Sequence, residues 1–371
     1  MNSPATLFSP VVFAGLSASH RVVMAPMTRA RSSQPGDIPN DLNAEYYSQR
    51  AFAALIVTEA TQISPQGKGY SFTPGIHSEA QVEGWKKVTE AVHAQGGRIF
   101  LQLWHVGRMS HSDFHNGELP VAPSAEPFEG QIWKVDPVTG HGEMVDCPTP
   151  RELTLTEIKQ IVMDFRHAAR RAIRAGFDGV EIHGANGYLV DQFLRTTSNS
   201  RTDEYGGSRA NRLRFMQEVV DAVSDEVGAS RTAIRLAPFL TARGMACPDI
   251  LPTILEAAQY LQSKGIGYLH LVEADWDDAP VFTELFRKEI RDHFSGTIIV
   301  AGNYDRQRAD WVIGKGYADL VAFGRSFIGN PDLPLRMKKA LPLAVPDHAT
   351  LFGGTDKGYT DYPTLNTGET L

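Results

Sequence analysis

The chain has 371 residues, of which 42% are hydrophobic and 21% are charged, and its formal net charge is -7. This composition is typical of a globular protein with a large core, and the lack of a lysine or arginine block argues against nucleic acid or an anionic membrane surface as a partner. The N-terminus carries neither a basic start nor an apolar segment, and no apolar run reaches the length that spans a bilayer, so we expect a cytoplasmic protein.

Eight short apolar or alternating runs are predicted β-strands, and helix-like segments separate most of them. The predicted strands are residues 20–26, 54–59, 98–104, 179–183, 233–237, 268–273, 297–302 and 319–324. The predicted helices, which show apolar spacing near 3.6, are residues 79–93, 156–175, 209–227, 250–263, 281–294 and 306–315.

Helix-boundary residues support these assignments. Thr154 followed by Glu157 is typical of a helix N-terminus, whereas Gly176, Gly265 and Gly316 follow helical segments as stops. Alternating strands and helices predict a parallel sheet, and eight such units predict closure into a (β/α)8 TIM barrel formed by a single domain over residues 1–371. An open, doubly wound sheet is the alternative.

Residues 109–151 interrupt this alternation. They are rich in Gly, Pro, His and acidic residues and show no sustained periodicity. We therefore interpret them as an insertion after the third strand that caps the C-terminal mouth of the barrel, where substrate walls are usually built. Residues 198–208 form a shorter loop of the same kind after the fourth strand.

The segment from His183 to Tyr188, with the sequence HGANGY, directly follows the fourth predicted strand. His183 and Asn186 are three residues apart, so a helical turn at this point would place their side chains on one side, with Tyr188 rotated away from both. The two hydrogen-bond donors could bind a carbonyl oxygen, and the phenol could donate a proton nearby. A capped turn with a surface tyrosine is the alternative.

Active sites of barrels lie at the C-terminal ends of the strands, and anionic phosphate groups bind in the loops after strands seven and eight. Here those loops contain Gly302, Asn303, Gly324 and Arg325. Glycine permits close approach of the backbone, and arginine supplies charge-assisted donors, so a phosphorylated ligand is expected. Two ordinary turns with a solvated arginine are the alternative.

Two polar side chains are predicted inside the barrel. Strand alternation places Gln102 with Trp104 on one face of the third strand and directs Arg235 inward on the fifth. A buried arginine needs an accepting partner, and a flavin would satisfy it while pairing with the glutamine. The alternative is an ion pair of Arg235 with Glu181 and an ordinary core amide at Gln102.

Seven motifs resemble the Old Yellow Enzyme family of FMN-dependent ene-reductases, from about residue 7 to residue 363. They are VMAPMTR (23–29), TEATQ (58–62), LQLWH (101–105), HGANGY (183–188), SRTDEYGG (200–207), AFGR (322–325) and GYTDY (358–362). Within the family the chain looks most similar to the bacterial N-ethylmaleimide, glycerol trinitrate and pentaerythritol tetranitrate reductases. The resemblance implies bound FMN, with NADPH or NADH as reductant.

The resemblance also implies a role for each matching residue. It implies that Thr28 hydrogen-bonds the flavin C4=O, that Tyr188 is the proton donor, and that His183 and Asn186 bind the activating oxygen of the substrate. Many relatives have histidine where this chain has Asn186. The other implied contacts are the flavin lining by Pro26, Met27 and Ala60, the pyrimidine edge at Gln102 and Arg235, the phosphate cradle at Gly302, Asn303, Gly324 and Arg325, and the substrate pocket at Tyr70, Trp104 and Tyr359.

The implied reaction adds hydrogen across the activated C=C bond of α,β-unsaturated carbonyl compounds, imides or nitroalkenes, with hydride from flavin N5 and a proton from Tyr188. A 2-hydroxy-acid oxidase and a non-catalytic flavin-binding barrel are the alternatives. The dienoyl-CoA reductase relatives carry an iron–sulfur cluster, which the isolated Cys147 and Cys247 do not support. No metal is expected, and the oligomeric state is left open.

Overall fold

Eight parallel strands form a closed barrel in the computed structural model, which describes residues 4–136, 139–273 and 281–365. In chain order the strands are β1 (Val22–Met24), β2 (Leu55–Val57), β3 (Ile99–Trp104), β4 (Gly179–Gly184), β5 (Thr232–Leu236), β6 (Tyr268–Val272), β7 (Ile298–Ala301) and β8 (Leu320–Phe323). Each of the eight predicted strands overlaps one of them.

Closure of the barrel is made by the last and first strands. Val321 of β8 pairs with Val22 of β1, and Phe323 pairs with Met24, in parallel register. Between β3 and β4, Glu181 lies opposite Gln102. The predicted (β/α)8 barrel is therefore confirmed, and the open doubly wound alternative is wrong.

Ten α-helices are present in the described part of the chain, and none is long and apolar enough to cross a membrane. The six predicted helices correspond to α2, α3 and α5–α8, whereas the short α1, α4, α9 and α10 were not predicted. The helices are α1 (Asp41–Ser48), α2 (Glu79–Ala94), α3 (Leu155–Arg174), α4 (Leu189–Leu194), α5 (Arg209–Val227), α6 (Ile250–Lys264), α7 (Glu284–His293), α8 (Arg306–Gly314), α9 (Arg325–Gly329) and α10 (Leu333–Lys338).

Local chemistry explains where α3 and α6 begin and end. The Thr154 hydroxyl accepts a hydrogen bond from the Glu157 backbone, and the Glu157 carboxylate accepts one from the Thr154 backbone, which together form a capping box. Gly265 ends α6 with φ 63°, a left-handed conformation that glycine adopts without steric cost.

The barrel is plugged at its N-terminal end. Inward side chains such as Val23, Phe100, Ala233 and Ile299 form a buried cluster, and Phe13 of an N-terminal hairpin packs into it. That hairpin pairs Val11–Phe13 with Leu16–Ala18. Because apolar side chains fill this end, polar ligands can enter only from the opposite, C-terminal end.

The insertion after β3 folds as two small strand pairs. Val121–Ala122 pairs in parallel with Arg151–Glu152, and Gln131–Val135 pairs antiparallel with Gly142–Asp146. Residues 137 and 138 of the insertion lie outside the described residues, as do residues 1–3, 274–280 and 366–371 of the expected single domain. A further short strand, Thr61–Gln62, extends the sheet beside β3.

Candidate active site

A cavity of about 1010 Å³ opens at the C-terminal end of the barrel. The insertion contributes Gln131, Trp133 and Met144 to its wall. All but one of the site residues expected from the sequence line this cavity, namely Pro26, Met27, Thr28, Ala60, Tyr70, Gln102, Trp104, His183, Asn186, Tyr188, Arg235, Gly302, Asn303, Gly324 and Arg325.

Tyr359 is the exception, and its prediction as a substrate-pocket residue is wrong. Its side chain is fully buried away from the cavity lining, with its ring stacked 4.0 Å from the ring of Tyr46. The hydroxyl accepts a hydrogen bond from Asn43 Nδ2 at 2.9 Å, and the Arg31 guanidinium lies 4.5 Å from the ring centroid. These contacts fix Tyr359 as an anchor of the C-terminal segment.

The turn after β4 is not the helical turn considered in the sequence analysis. Asn186 has φ 59° and Gly187 has φ 77°, both in the left-handed region, and α4 begins only at Leu189. The Gly187 backbone donates to Asp191 Oδ2 at 2.9 Å, which holds the turn against the helix that follows. His183 and Asn186 nevertheless both reach the cavity, because the tight turn folds the chain back over the strand end.

Tyr188 lies against His183 rather than rotated away from it. The two ring centroids are 4.9 Å apart at an interplanar angle of 77°, and Trp104 is equally close at 84°. The Tyr188 hydroxyl lies 3.4 Å from that of Tyr70, whose ring stacks on Trp104 at 5.5 Å. The expected separation was wrong because the left-handed turn, unlike a helical one, returns Tyr188 to the same side.

His183 is a neutral hydrogen-bond donor. Burial lowers the pKa of His183 well below its usual range, and the charge of nearby Arg235 lowers it further. Its Nδ1 accepts from the Ala185 backbone at 3.4 Å, so the single proton of the neutral ring lies on Nε2. His183 can therefore donate to a ligand oxygen at neutral pH.

The side chain of Asn186 has hydrogen-bonding capacity left over. Its Oδ1 is buried without a hydrogen-bond partner among the residues that the structure describes. Its backbone carbonyl, by contrast, accepts from Arg243 Nη1 at 2.9 Å. Since buried polar groups are seldom left unpaired, the unpartnered Oδ1 indicates that the carboxamide faces a ligand.

Arg235 is buried and incompletely paired. Its Nε has no hydrogen-bond partner in the described part of the chain. The alternative ion pair with Glu181 does not form, because the Glu181 carboxylate contacts Gln102 Nε2 at 2.7 Å and His270 Nδ1 at 2.9 Å. A guanidinium in this state requires an acceptor that the described residues do not supply.

The loops after β7 and β8 are joined across the other end of the cavity. Arg325 Nη2 donates to Asn303 Oδ1 at 2.7 Å, and Arg308 Nη1 donates to the Gly302 carbonyl at 2.8 Å. Gly302 has φ 147° and Asn303 has φ 49°, so the loop bends sharply where it meets the cavity. Its glycine leaves room for an anion near the Arg325 guanidinium.

Arg243 and Trp133 are two of the cavity residues that were not identified from the sequence. Arg243, in the loop between β5 and α6, places its guanidinium carbon 5.7 Å from the Tyr188 ring centroid. Trp133 lines the cavity from the hairpin of the insertion. Inspection of whole strand-to-helix loops, rather than strand ends alone, would have identified Arg243, whereas the irregular insertion gave no signal for Trp133.

Comparison with known proteins identifies the family. A sequence profile described as the NADH:flavin oxidoreductase / NADH oxidase family matches residues 6–344. The chain belongs to the Old Yellow Enzyme family. Members of the Old Yellow Enzyme family bind FMN and use NAD(P)H, as the motifs predicted.

Individual Old Yellow Enzyme relatives cover nearly all of the chain. The chain is 46% identical over 371 residues to 12-oxophytodienoate reductase 1 of Oryza sativa subsp. japonica, covering 97% of this chain and 93% of that protein. Among solved structures it resembles morphinone reductase in complex with tetrahydroNAD, with a TM-score of 0.94 at 48% identity and 99% coverage of both chains. The Old Yellow Enzyme homologue from Zymomonas mobilis has a TM-score of 0.92 at 41% identity, with 97% of this chain and 100% of that chain covered.

Proposed function

We propose that this protein is an NAD(P)H-dependent ene-reductase that reduces the activated C=C bond of α,β-unsaturated ketones, aldehydes, imides or nitroalkenes. The observation that carries the proposal is the arrangement of three side chains in one cavity. His183 offers a neutral Nε2–H, Asn186 lines the cavity with its Oδ1 unpaired among the described residues, and Tyr188 is held edge-on against His183. Such a set suits a substrate that carries an oxygen and needs one proton.

The polar groups of the cavity fit FMN. Arg235 has a buried Nε with no hydrogen-bond partner among the described residues, and an acceptor such as the flavin C2=O would satisfy it. Gln102 would pair with the N3 edge and Thr28 with C4=O, while Pro26, Met27 and Ala60 would line the ring. Gly302, Asn303, Gly324 and Arg325 would hold the phosphate, because glycine permits close approach and arginine supplies charge-assisted donors.

FMN, when bound, supplies a hydride that it has received from NAD(P)H. Residues of the chain would bind the substrate oxygen and donate the proton. His183 and Asn186 would hold the carbonyl or nitro oxygen and stabilise the negative charge that develops on it, an effect of about 3 kcal/mol for one well-placed donor. Tyr188 would give its phenolic proton to the substrate carbon, and general acids of this kind contribute roughly 10² to 10⁴ in rate.

Two aromatic side chains would form the substrate wall. Tyr70 and Trp104 stack at 5.5 Å beside Tyr188, which leaves a flat apolar surface next to the two oxygen-binding donors. Flat conjugated substrates match this shape. The relatives named 12-oxophytodienoate reductase and morphinone reductase support reduction as the chemistry. The bacterial subgroup and the cytoplasmic location stay predictions.

The decisive experiment is spectroscopic and kinetic. The purified protein should show flavin absorption and should oxidise NADPH or NADH when cyclohexenone or N-ethylmaleimide is added. A protein that binds FMN but turns over neither compound would be a flavin-binding barrel without this activity. A colourless protein that refuses added FMN would remove the whole proposal.

A second experiment isolates the oxygen-binding pair. Replacing both His183 and Asn186 with Ala should weaken the binding of a substituted phenol, since phenols present an oxygen anion to the same donors. Titration of the flavin absorption measures this affinity, and the single variant N186A separates the two contributions. Equal affinity in the wild type and the double variant would contradict the assignment.

A further inference from the structure

A fully buried polar pair lies directly behind Gln102 and Arg235. Glu181 and His270 have no exposed surface, and their side chains are 2.9 Å apart. Glu181 is the cross-strand neighbour of Gln102 between β3 and β4, and His270 is that of Arg235 between β5 and β6. The four side chains therefore form one polar layer across the barrel interior.

Glu181 is the anionic member of this layer. Burial acts to raise the pKa of Glu181, but the hydrogen bonds from His270 and Gln102 and the charge of Arg235 act in the opposite direction, and the pKa is lowered. Burial lowers the pKa of His270, which favours its neutral form. We therefore take the pair as a carboxylate beside an imidazole whose Nδ1–H donates to it.

The carboxylate determines which way the Gln102 amide points. An ionised carboxylate only accepts hydrogen bonds, so the 2.7 Å contact requires Gln102 to present its NH2 group to Glu181. The Gln102 Oε1 is then on the opposite side of the amide, away from Glu181. This is the orientation in which the amide can accept a hydrogen bond from a ligand N–H.

We propose that Glu181 is a positioning residue that orients Gln102 Oε1 toward the N3–H of bound FMN, and that its buried charge offsets Arg235 and lowers the flavin reduction potential. The inference rests on the proposed roles of Gln102 and Arg235 as partners of the flavin pyrimidine edge. It adds a residue that touches neither flavin nor substrate.

The direction of the effect follows from charge. Reduction places negative charge near flavin N1 and C2=O, which the Arg235 cation favours and the Glu181 anion opposes. Charges in a water-excluded core act more strongly on one another than they do in water. With Glu181 present, bound FMN should therefore give up its electrons more readily than Arg235 alone would allow.

The test is the reduction potential of the FMN-loaded protein. Glu181→Gln removes the charge but keeps the shape, and we expect the reduction equilibrium to shift at least about tenfold toward reduced flavin, or about 30 mV for a two-electron couple. The N3 proton of oxidised flavin should also dissociate at lower pH, as seen in its absorption. Glu181→Asp keeps the charge and should stay near the wild-type potential.

The control is Glu79→Gln, which removes an equal charge from an exposed carboxylate paired with Arg174. It should change neither readout. If E181Q does not fold, the double variant Glu181→Gln, His270→Gln replaces the pair with neutral amides, and the same positive shift is expected.

The outcomes separate this inference from the proposed function. A protein without FMN refutes the proposed function itself. FMN bound normally with an unchanged potential and unchanged N3 dissociation in E181Q refutes only the inference. Loss of stability or FMN affinity in E181Q without a potential shift also refutes it, because that pattern marks a purely structural role.

Discussion

The hydroxyl oxygens of Tyr70 and Tyr188 lie 3.4 Å apart, and both rings contact the Trp104 indole. Burial raises the pKa of Tyr70 well above its usual range, and the neighbouring Tyr188 raises it further. Tyr70 therefore keeps its proton at neutral pH. It can donate a hydrogen bond to the Tyr188 oxygen, most usefully after Tyr188 has given up its own proton.

This relationship predicts different consequences for two matched variants. Tyr188→Phe should slow substrate reduction by roughly 10² to 10⁴, because the proton donor is lost, while flavin reduction by NAD(P)H remains nearly unchanged. Tyr70→Phe should slow the same step by a smaller factor, because only a hydrogen bond to the donor is lost. Stopped-flow measurement of the two half-reactions distinguishes the variants. Equal losses in both half-reactions of Y188F would remove Tyr188 from its role.

The left-handed turn at Gly187 supports a second prediction. Gly187→Ala should cost about 1–2 kcal/mol of backbone strain, and its new Cβ would lie 3.1 Å from Met245 Cγ. We expect the turn to shift and to displace Asn186. The affinity for phenols should therefore fall. Gly265→Ala is the control, because Gly265 has φ 63° and, apart from its chain neighbours, no atom of the described residues lies within 4 Å of the added Cβ.

Both variants should lower the free energy of unfolding, as measured by urea denaturation, but only G187A should change the flavin absorption shift on phenol binding. If G265A weakens phenol binding equally, general destabilisation rather than turn geometry explains the effect.

The barrel could be predicted from the sequence because each of its repeating units carries its own signal. Buried strands such as β3 and β7 are short apolar runs, and α3 combines a 3.6-residue period with a capping box at Thr154. Helices α4 and α9, with six and five residues, span fewer than two turns, so no periodicity can reveal them.

The candidate site was predicted less evenly. Strand alternation identified Gln102 and Arg235, because a side chain's direction on a strand follows from its position alone. The position of the Tyr188 side chain depends on the left-handed backbone conformations of Asn186 and Gly187. These backbone angles could not be predicted from the sequence. The prediction that Tyr359 lines the substrate pocket was wrong because its burial depends on packing against Tyr46, which is distant in the chain.

The phosphate end of the cavity gives a third prediction, based on Arg308. Its Nη1 donates to the Gly302 carbonyl and its Nη2 to Glu273 Oε2 at 2.7 Å, so it holds the β7 loop in place. A hydrogen bond involving a charged group contributes about 1.5 kcal/mol or more. Arg308→Ala should therefore weaken FMN binding by about tenfold, since 1.4 kcal/mol corresponds to a factor of ten.

Arg306→Ala is the matched control for this prediction, because Arg306 lies on the same helix but donates to the carbonyls of Met337 and Lys338. Fluorescence of released FMN during dilution measures the dissociation constant of each variant. Similar dissociation constants for R308A and the wild type would show that the loop keeps its shape without Arg308.

Acid should destabilise the protein through its buried histidines, and His105 provides the clearest case. Burial lowers the pKa of His105 to about 3, with a contribution from His115, and its Nδ1 accepts from the Gly107 backbone at 3.1 Å. In the unfolded chain a histidine has a pKa of about 6.5. Below that value the unfolded state binds a proton at His105 that the folded state does not bind. The contribution to stability is therefore retained above pH 6.5 and is lost as the pH falls toward 3.

Each such histidine should reduce the free energy of unfolding by about 1.4 kcal/mol per pH unit within this window. His105→Gln removes one group that takes up a proton on unfolding. The free energy of unfolding should therefore depend less steeply on pH between pH 6 and about pH 4, even if the variant is less stable at pH 7. Urea denaturation of the FMN-loaded protein at several pH values measures this slope, with exposed His141→Gln as the control. A slope in H105Q equal to that of the wild type would mean that His105 is already protonated in the folded protein.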